Sequence, residues 1–410
     1  MSKTVLENCT LLDPAEAEPR EGVHVLIDGE RIAAISKKRI RAGRVPRLDL
    51  AGRTLMPGLI DAHVHVIATT VDLGAIDKES ATLTGARAAR IMKAMLMRGF
   101  TSVRDAGGAD WGLAKAVEVG LIDGPRLFYS GRALSQTGGH GDFRPLTDEG
   151  GVCVCCAGAE FSVIADGVPE VQKAAREELR RGATQIKIMA SGGVASPTDP
   201  IWNQQYSEDE IRAIVWEAAS WKTYVMAHAY TPEAISRAVR SGARSIEHGN
   251  LLDAETARLM ADRGAFLVPT LATYEALSRE GESLGFPAVS LAKIEDVREA
   301  GLRSLEIARA AGVQIGYGTD LLGACHQYQS EEFTIRARAL PAAEVLASAT
   351  TTNAALLNRS GELGTVREGA IADLIVVDGD PLRNLRLLQG QGRHLKLIMK
   401  GGRVYKNELD

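Results

Sequence analysis

Eight short apolar segments that alternate with helix-like stretches constrain the fold of this chain more than any other feature. Several of the helical patterns begin with a recognised start signal, such as Ser207 three residues before Glu210, or Pro232 directly after Thr231. An α/β chain that folds as a (β/α)8 TIM barrel has eight strands with helices between them, and the pattern here predicts that fold. An open doubly wound sheet is the alternative, but no GxGxxG motif follows an early strand. The eight strand-like segments are residues 58–66, 101–106, 126–130, 184–190, 223–229, 245–249, 266–270 and 314–320.

Both ends of the 410-residue chain carry short strand-like segments separated by glycine turns. Asp28-Gly29, between two such segments, is a strong hairpin signal. Neither end has enough strands for a sheet of its own, so we expect them to pair. The predicted organisation is a small composite β-sandwich domain from residues 1–57 and 361–410, and a barrel domain from residues 58–360.

The charge balance favours a small-molecule partner. Lysine and arginine number 48 against 52 acidic residues, so the net charge is −4 and there is no basic footprint for nucleic acid. No apolar run has the roughly 18 residues of a membrane span, and the N-terminus has no apolar signal region. Five cysteines are too few and odd in number for a disulfide scaffold. We therefore expect a cytoplasmic protein without a membrane partner.

Histidines and one aspartate stand at the ends of four predicted barrel strands. His63 and His65 are two apart in a strand and therefore face the same way. His228, His248 and Asp320 end three further strands, and the C-terminal ends of barrel strands all surround one opening. Two strand histidines alone could be satisfied core residues, but the full set predicts a site for one or more metal ions.

Lys187 lies inside the apolar strand segment Gln185-Ile186-Lys187-Ile188-Met189. A buried ammonium group is costly, so one interpretation is an ion pair with a carboxylate on a neighbouring strand. The other is that the neutral amine reacts with carbon dioxide and becomes a carbamate, an anionic ligand with two oxygens.

The motif Met56-Pro57-Gly58-Leu59-Ile60-Asp61-Ala62-His63-Val64-His65, followed in order by Lys187, His228, His248 and Asp320, resembles the amidohydrolase superfamily. The segment from Gly369 to Asp378 is similar to the C-terminal strand of that family. The resemblance covers essentially the whole chain. It implies two divalent metal ions, with zinc as the expected ion. His63, His65 and Asp320 would bind the more buried ion, His228 and His248 the more exposed one, and carboxylated Lys187 and a hydroxide would bridge them.

The family resemblance also implies a reaction. Phrases at residues 101–108, 135–142 and 187–193 resemble the imidazolonepropionase-related subgroup, which includes Xaa-Pro dipeptidases and N-acyl amino acid carboxypeptidases. The expected enzyme cleaves the amide bond of dipeptides or N-acyl amino acids with a free carboxylate, including aromatic amides such as a phenylalanine-linked mycotoxin. The bridging hydroxide would attack, Asp320 would act as general base and then acid, and Tyr230 would donate to the oxyanion.

Two other functions stay open at this point. A cyclic amide hydrolase or a deaminase is the alternative reaction, although the His-x-x-Glu pattern of mononuclear deaminases is missing because Thr231 stands three residues after His228. A catalytically silent scaffold is the third hypothesis, and the complete set of ligand positions argues against it.

Substrate contacts are expected from the loops after the strands. Two long connections, at about 131–167 and 271–289, would lie on the face that holds barrel active sites. His140, between two glycines, is predicted to bind a carboxylate or carbonyl group, with Arg144 as a weaker candidate. The turn after the fourth strand could present backbone N–H groups to substrate; its named members are Ser191, Gly192 and Val194.

The remaining polar and aromatic features receive no catalytic role. The cluster of Cys153, Cys155 and Cys156 is interpreted as a loop feature of unassigned role, and His326 as a residue at the border of the pocket. Three tryptophans are expected to pack or to support a homo-oligomer: Trp202, Trp216 and Trp221.

Overall fold

A computed structural model describes residues 3–14, 16, 18–76, 78–144, 161–196, 199–286 and 288–409. The strands in this part of the chain, numbered β1 to β18 in chain order, are Lys3–Leu11, Arg20–Asp28, Arg31–Ser36, Arg47–Asp49, Thr54–Pro57, Leu59–Val64, Phe100–Asp105, Arg126–Tyr129, Ala133–Ser135, Ser162–Ile164, Ile186–Met189, Val225–Ala229, Ser245–His248, Phe266–Val268, Gln314–Ile315, Leu374–Val377, Leu395–Lys400 and Arg403–Asn407.

The α-helices of the same part of the chain, numbered α1 to α12, are Leu73–Ile76, Ala81–Met97, Trp111–Glu118, Gly167–Arg180, Glu208–Ser220, Pro232–Arg240, Ala254–Asp262, Leu271–Glu280, Ala288–Ala311, Glu331–Arg336, Ala342–Ala347 and Asn353–Leu356. Short 3₁₀ helices occupy Gly323–Tyr328, Leu385–Leu388 and Gly390–Gly392, and a π-helical turn occupies Ser348–Thr352. None of the described helices combines the length and the apolar character needed to cross a membrane.

Strands from both chain ends form one sheet with the order β18-β17-β16-β5-β1-β2-β3, and β4 pairs with β1. The two ends meet where β5 runs antiparallel to β16, with Leu55 opposite Val376. β2 and β3 form the hairpin that Asp28-Gly29 predicts, and Gly29 has the positive φ of 60° that such a turn requires. The domain limits at residues 57 and 361 and the sandwich arrangement stay predictions.

The middle of the chain is an α/β arrangement of parallel strands. One sheet has the order β6-β7-β8, and a second has the order β10-β9-β11-β12-β13-β14-β15. Each of the eight predicted strand segments overlaps one of these strands, with a helix after most of them. The arrangement is consistent with the predicted TIM barrel.

Backbone hydrogen bonds also connect the two parallel sheets. Ala62 N donates to Tyr317 O at 2.8 Å, and Asp320 N donates to His63 O at 2.8 Å. At the other edge, Thr184 N donates to Tyr129 O at 2.8 Å. These bonds hold Asp320 directly beside the strand that carries His63 and His65.

The two long connections contain regular structure that the sequence analysis did not predict. The first includes β9 and β10, which are only three residues each and extend the second parallel sheet. The second was expected to be a loop over 271–289, and this is wrong, because α8 begins at Leu271. Nearly every residue in the first two turns of α8 is buried, so the helix lacks the polar face by which periodicity identifies a helix.

Candidate metal centre and active site

Three predicted ligands lie together at the C-terminal ends of the parallel strands. The nearest ligand atoms of His63, His65 and Asp320 all lie within 4.8 Å of one another. Nε2 of His65 is 3.1 Å and Nε2 of His63 is 3.5 Å from Oδ1 of Asp320. The structure thus places these three predicted ligands side by side, and their role as metal ligands stays a prediction.

Each histidine of this cluster has its other ring nitrogen fixed by the protein. Nδ1 of His63 lies 2.7 Å from Oε2 of Glu247, and Nδ1 of His65 lies 3.1 Å from Gly107 O. Because Glu247 and Gly107 offer acceptors at Nδ1, each ring can hold a proton there and leave Nε2 as the nitrogen that would bind a metal. Nε2 of His63 is buried and has no hydrogen-bond partner among the described residues.

Glu247 is a site residue that the sequence analysis missed. Its carboxylate accepts two hydrogen bonds from Arg104, at 2.9 and 3.0 Å, besides the one from His63. All three side chains are buried. Burial would raise the pKa of Glu247, but attraction from Arg104 and the His63 hydrogen bond outweigh it and bring the pKa to about 2. A signal was available, since opposite charges inside two apolar strands must be paired.

The other two predicted histidines lie beside this cluster. The ring centroid of His248 is 4.9 Å from that of His63 and 4.8 Å from that of His228. His248 Nδ1 lies 2.8 Å from Thr270 Oγ1, and His228 Nε2 lies 3.2 Å from Gly192 O. These contacts leave His248 Nε2 and His228 Nδ1 as the nitrogens that could bind a metal. Burial, the largest cause, holds the pKa of both histidines well below the usual range, so both are neutral.

Lys187 is fully buried and lines the same cavity as the histidines and Asp320. Burial lowers its pKa to about 8, against the attraction of Glu247 and Asp320. At this pKa the ammonium form still predominates at pH 7, as the ion-pair interpretation requires, and a minor neutral fraction is available to react with carbon dioxide, as the carbamate interpretation requires.

The donor set fits a divalent metal such as zinc. Neutral imidazole nitrogens and a carboxylate are the ligands that catalytic zinc sites use, and an orphaned buried nitrogen on His63 is the mark of a missing partner. Burial raises the pKa of Asp320, but the neighbouring His63 outweighs that and holds it well below its usual range. Asp320 is therefore an anion at the centre.

Two of these residues adopt an uncommon backbone conformation. His248 has φ of 71° and Asp320 has φ of 52°, both in the left-handed region that residues with a Cβ rarely occupy. Such strain persists where surrounding contacts overdetermine it and is concentrated at functional sites. Two hydrogen bonds supply those contacts for Asp320. Its backbone N–H donates to His63 O, and the neighbouring Thr319 hydroxyl donates to Asp61 at 2.6 Å.

The cavity above the cluster is small and mostly apolar in its walls. About 600 Å³ of space not filled by protein atoms lies above the cluster, and part of it is open solvent. The lining residues without a charged or imidazole group are Leu73, Phe143, Phe161, Met189, Val194, Ala195, Tyr230, Thr273, Tyr274, Leu277, Phe286 and Leu322.

His140 and Tyr230, the two main predicted substrate contacts, both line this cavity. The His140 ring stacks on His228 at 4.3 Å, and its Nδ1 lies 3.3 Å from Asp199, which the sequence analysis did not identify. Tyr230 stacks on His248 at 5.3 Å, and its hydroxyl is 2.7 Å from that of Tyr274. Burial raises the pKa of both phenols, so both stay protonated near neutral pH.

The turn after β11 was predicted to present backbone N–H groups to substrate, but its glycine N–H groups bond within the protein. Gly192 N donates to Asn203 O at 2.7 Å and Gly193 N to Asp199 Oδ2 at 3.1 Å, so these N–H groups are engaged within the protein. Ser191 Oγ accepts from Tyr230 N at 3.2 Å and thereby holds the tyrosine in place. Of this turn, Val194 lines the cavity.

Several other candidates lie away from the centre or outside the described residues. Arg144 donates to Asp142 at 2.6 Å, and His326 Nε2 lies 3.0 Å from Ala68 O. Trp202, Trp216 and Trp221 are exposed. The predictions for Cys153, Cys155 and Cys156 concern residues that the structure does not describe.

Fold and site together define a class: an α/β protein of parallel strands that holds histidines and an aspartate at the strand ends in a form suited to a divalent metal. Residues 54–404 match the Amidohydrolase family, and the chain belongs to this family. It is an amide-hydrolysing enzyme.

Individual relatives agree with this assignment. An ochratoxinase from Aspergillus niger is 33% identical over 99% of this chain and 87% of the relative. The crystal structure of a prolidase complexed with N-methylphosphonate-L-proline is 52% identical, with a TM-score of 0.97 over 99% of this chain and all of the other. A Xaa-Pro dipeptidase with bound methionine is 28% identical, with a TM-score of 0.89 over 99% of this chain and all of the other.

Proposed function

We propose that this enzyme hydrolyses the amide bond of dipeptides or N-acyl amino acids that end in a free carboxylate. The observation that carries the proposal is the cluster of His63, His65 and Asp320, within 4.8 Å of one another, at the base of a mostly apolar cavity. Likeness to a prolidase and to an ochratoxinase supports an amide of proline or of an aromatic acyl group, such as a phenylalanine-linked mycotoxin.

The proposed cofactors are two divalent metal ions, with zinc expected. His63, His65 and Asp320 would hold one ion, and His228 and His248 the other. Lys187 would contribute a carbamate to both, formed when its neutral amine adds to carbon dioxide through a new N–C bond and releases one proton. When bound, such ions make water nucleophilic near neutral pH and polarise a carbonyl group.

The chain's own residues would handle protons and charge. Asp320 accepts the proton of the attacking water and delivers it to the departing amide nitrogen, so that the product leaves as an amine. Tyr230, protonated and facing the cavity, donates a hydrogen bond to the carbonyl oxygen as negative charge develops there. His140, oriented by Asp199, contacts the substrate carboxylate.

The cavity walls favour apolar substrate groups. Among the described lining residues Asp320 is the one carboxylate, and it faces the histidines. A basic substrate side chain would therefore be desolvated without an acidic partner there. Proline, phenylalanine and aromatic acyl groups bury apolar surface against Phe143, Phe161 and Leu277 instead.

The proposal includes the architecture that holds this site. We propose that the two parallel sheets form one closed (β/α)8 barrel, supported by the hydrogen bonds from Ala62 to Tyr317 and from Thr184 to Tyr129. The barrel would span residues 58–360, and residues 1–57 and 361–410 would form the composite β-sandwich domain. A homo-oligomeric state and a cytoplasmic location stay predictions from the sequence.

A substrate screen tests the proposed function. Zinc-loaded protein is incubated with N-acyl phenylalanines and with Xaa-Pro, Xaa-Phe and Xaa-Arg dipeptides, and release of the free amino acid is measured. We expect cleavage of proline or phenylalanine substrates and slower cleavage of Xaa-Arg. No hydrolysis of any member would contradict the proposal. Ammonia release from a cyclic amide or an amino-substituted ring, without a new free amino acid, would favour the alternative reaction.

The role of Lys187 is tested by Lys187→Ala. Elemental analysis should show a fall from close to two metal ions per chain to one or fewer, and kcat should fall by at least about 10²-fold because a ligand is lost. Added formate or acetate should restore part of the activity by supplying a carboxylate. Lys93→Ala, at an exposed position of α2, is the control. Full activity of Lys187→Ala with one metal ion would exclude the carbamate.

A further inference from the structure

Helix α8 contacts two groups of the candidate site through residues that are four positions apart. Thr270, at the N-terminal cap of the helix, has its Oγ1 2.8 Å from Nδ1 of His248. Tyr274 has its hydroxyl oxygen 2.7 Å from that of Tyr230. Because residues four apart share one face of a helix, a single element sets the positions of both groups.

The two groups that α8 holds are themselves in contact. The rings of Tyr230 and His248 stack at a centroid distance of 5.3 Å, with planes 12° apart. All four side chains are buried, and Tyr230, His248 and Tyr274 line the cavity. A shift of α8 would therefore move a proposed metal ligand and a proposed oxyanion donor together.

The start of α8 is anchored by a buried ion pair. Glu332 accepts from Ala272 N at 2.5 Å and from Arg336 Nε at 2.7 Å. Arg336 also donates to Pro269 O at 2.7 Å. Both charged side chains are fully buried, and their hydrogen bonds fix the first turn of α8, from which Thr270 and Tyr274 project.

The donor direction of the two hydrogen bonds on this face can be worked out separately. If His248 binds a metal through Nε2, its proton is on Nδ1, and that N–H donates to Thr270 Oγ1. The contact of 2.7 Å between the Tyr230 and Tyr274 hydroxyls admits either oxygen as the donor. With Tyr274 as the donor, the single Tyr230 proton is left for the cavity.

We propose that Tyr274 is a positioning residue that, by donating to the Tyr230 oxygen, directs the Tyr230 hydroxyl proton toward the scissile carbonyl oxygen. Thr270 and Tyr274 both belong to the start of α8, so the element that orients the Tyr230 hydroxyl also positions His248. The inference rests on the proposed function, because it needs an amide carbonyl in the cavity. A preoriented donor costs no reorganisation during the reaction, which is why its direction matters.

The test is a double-mutant cycle with Tyr230→Phe, Tyr274→Phe and the double variant, in metal-loaded protein. Phenylalanine keeps the ring packing and removes the hydroxyl. Tyr230→Phe should lower kcat by about 10²–10³-fold, as loss of one oxyanion donor does. Tyr274→Phe should lower kcat by about 10-fold to 10²-fold, the cost of a misplaced group, with KM and metal content little changed. In the Tyr230→Phe background the second substitution should have no further effect.

Two further measurements separate orientation from general damage. Tyr274→Phe should weaken inhibition by N-methylphosphonate-L-proline, whose tetrahedral phosphorus occupies the place of the amide carbonyl carbon, and leave inhibition by free proline unchanged. Tyr206→Phe is the matched control, since Tyr206 is buried and its hydroxyl has no hydrogen-bond partner among the described residues. Its activity should be that of the unmodified enzyme.

The outcomes that overturn the inference differ from those that overturn the proposed function. An unmodified enzyme that cleaves no amide substrate contradicts the proposed function. In an active enzyme, full activity of Tyr230→Phe or Tyr274→Phe contradicts the inference. So does a loss from Tyr274→Phe that is equal in both backgrounds, or one accompanied by a fall in metal content, because either would indicate a structural role.

Discussion

Glu247 and Arg104 show how a buried charge pair can support a metal ligand. Glu247 accepts from His63 at 2.7 Å and so decides which ring nitrogen of His63 faces the centre. We expect Glu247→Gln to weaken metal affinity by about 10–100-fold, because one carboxylate oxygen becomes an NH₂ group that cannot accept. Competition with a chelator measures the affinity, and circular dichroism checks that the variant is folded.

A second buried pair provides the control for Glu247. Glu178 is equally buried and accepts from Arg132 at 2.7 Å, but it does not line the cavity. Glu178→Gln should therefore lower stability without changing metal affinity. Equal metal affinities for the two variants would show that Glu247 does not orient His63.

Gly193 is a residue whose missing side chain gives His140 its place. A Cβ at Gly193 would lie 2.3 Å from Cε1 and 2.5 Å from Nε2 of the His140 ring, which is held by Asp199 and by stacking on His228. Gly193→Ala must therefore displace the ring. If His140 binds the substrate carboxylate, KM should rise by roughly 10-fold or more while metal content stays the same.

The comparison for Gly193 is Gly85→Ala, since a Cβ at Gly85 meets nothing within 4 Å. Both glycines have backbone conformations that alanine tolerates, so the pair separates displacement of His140 from the general effect of a methyl group. An unchanged KM in Gly193→Ala would exclude His140 as a substrate contact.

The histidine and aspartate ligands could be predicted from the sequence because they stand at or just beyond strand ends, which converge in a parallel α/β fold. Lys187 could be predicted because it is a charged residue inside an apolar strand. The partners of the proposed substrate contacts could not be predicted. Asp199 reaches His140 from a loop, and Tyr274 reaches Tyr230 from α8, which was not recognised as a helix. Contacts of this kind depend on tertiary packing and leave no periodic trace in the sequence.

At the scale of elements, the N-terminal caps give a direct test of how local sequence stabilises a helix. Ser207 caps α5 in a full capping box, in which Glu210 accepts from Ser207 N at 2.7 Å. Ser80 occupies the same position on α2, but its side chain makes no capping hydrogen bond. We expect Ser207→Ala to lower the free energy of unfolding by about 1 kcal/mol and Ser80→Ala to change it by less than about 0.5 kcal/mol.

Urea unfolding followed by circular dichroism measures both cap variants under the same conditions. Equal effects would show that the capping box of α5 contributes nothing measurable.

Start signals also explain why some elements could be predicted from the sequence. α5 and α6 carry such signals at Ser207 and Pro232, and both helices lie where the signals place them. β9 and β10 carry no such signal, and three residues are too few for an alternating pattern.

At the scale of the whole molecule, the apolar core crosses from the terminal sheet into the parallel strands. Leu59 and Phe100 of the parallel strands belong to the same buried cluster as Ile375, Leu395 and other residues of the terminal sheet. The sequence indicated that the two chain ends pair. It did not indicate that the terminal sheet shares a core with the parallel strands, because the contacts between these residues join positions more than 270 apart.

A shared core predicts cooperative unfolding, and Leu395→Ala tests it. Leu395 is fully buried in β17, and its Cδ1 packs so close to Gly99 that a Cβ there would be 2.8 Å away. Removing its methyl groups should cost about 2–5 kcal/mol. Calorimetry should therefore show one heat-absorption transition that moves as a whole to lower temperature. Val404→Ala, at an exposed position of β18, should leave the transition in place. A second transition that stays at the temperature of the unmodified protein would show that the terminal sheet unfolds on its own.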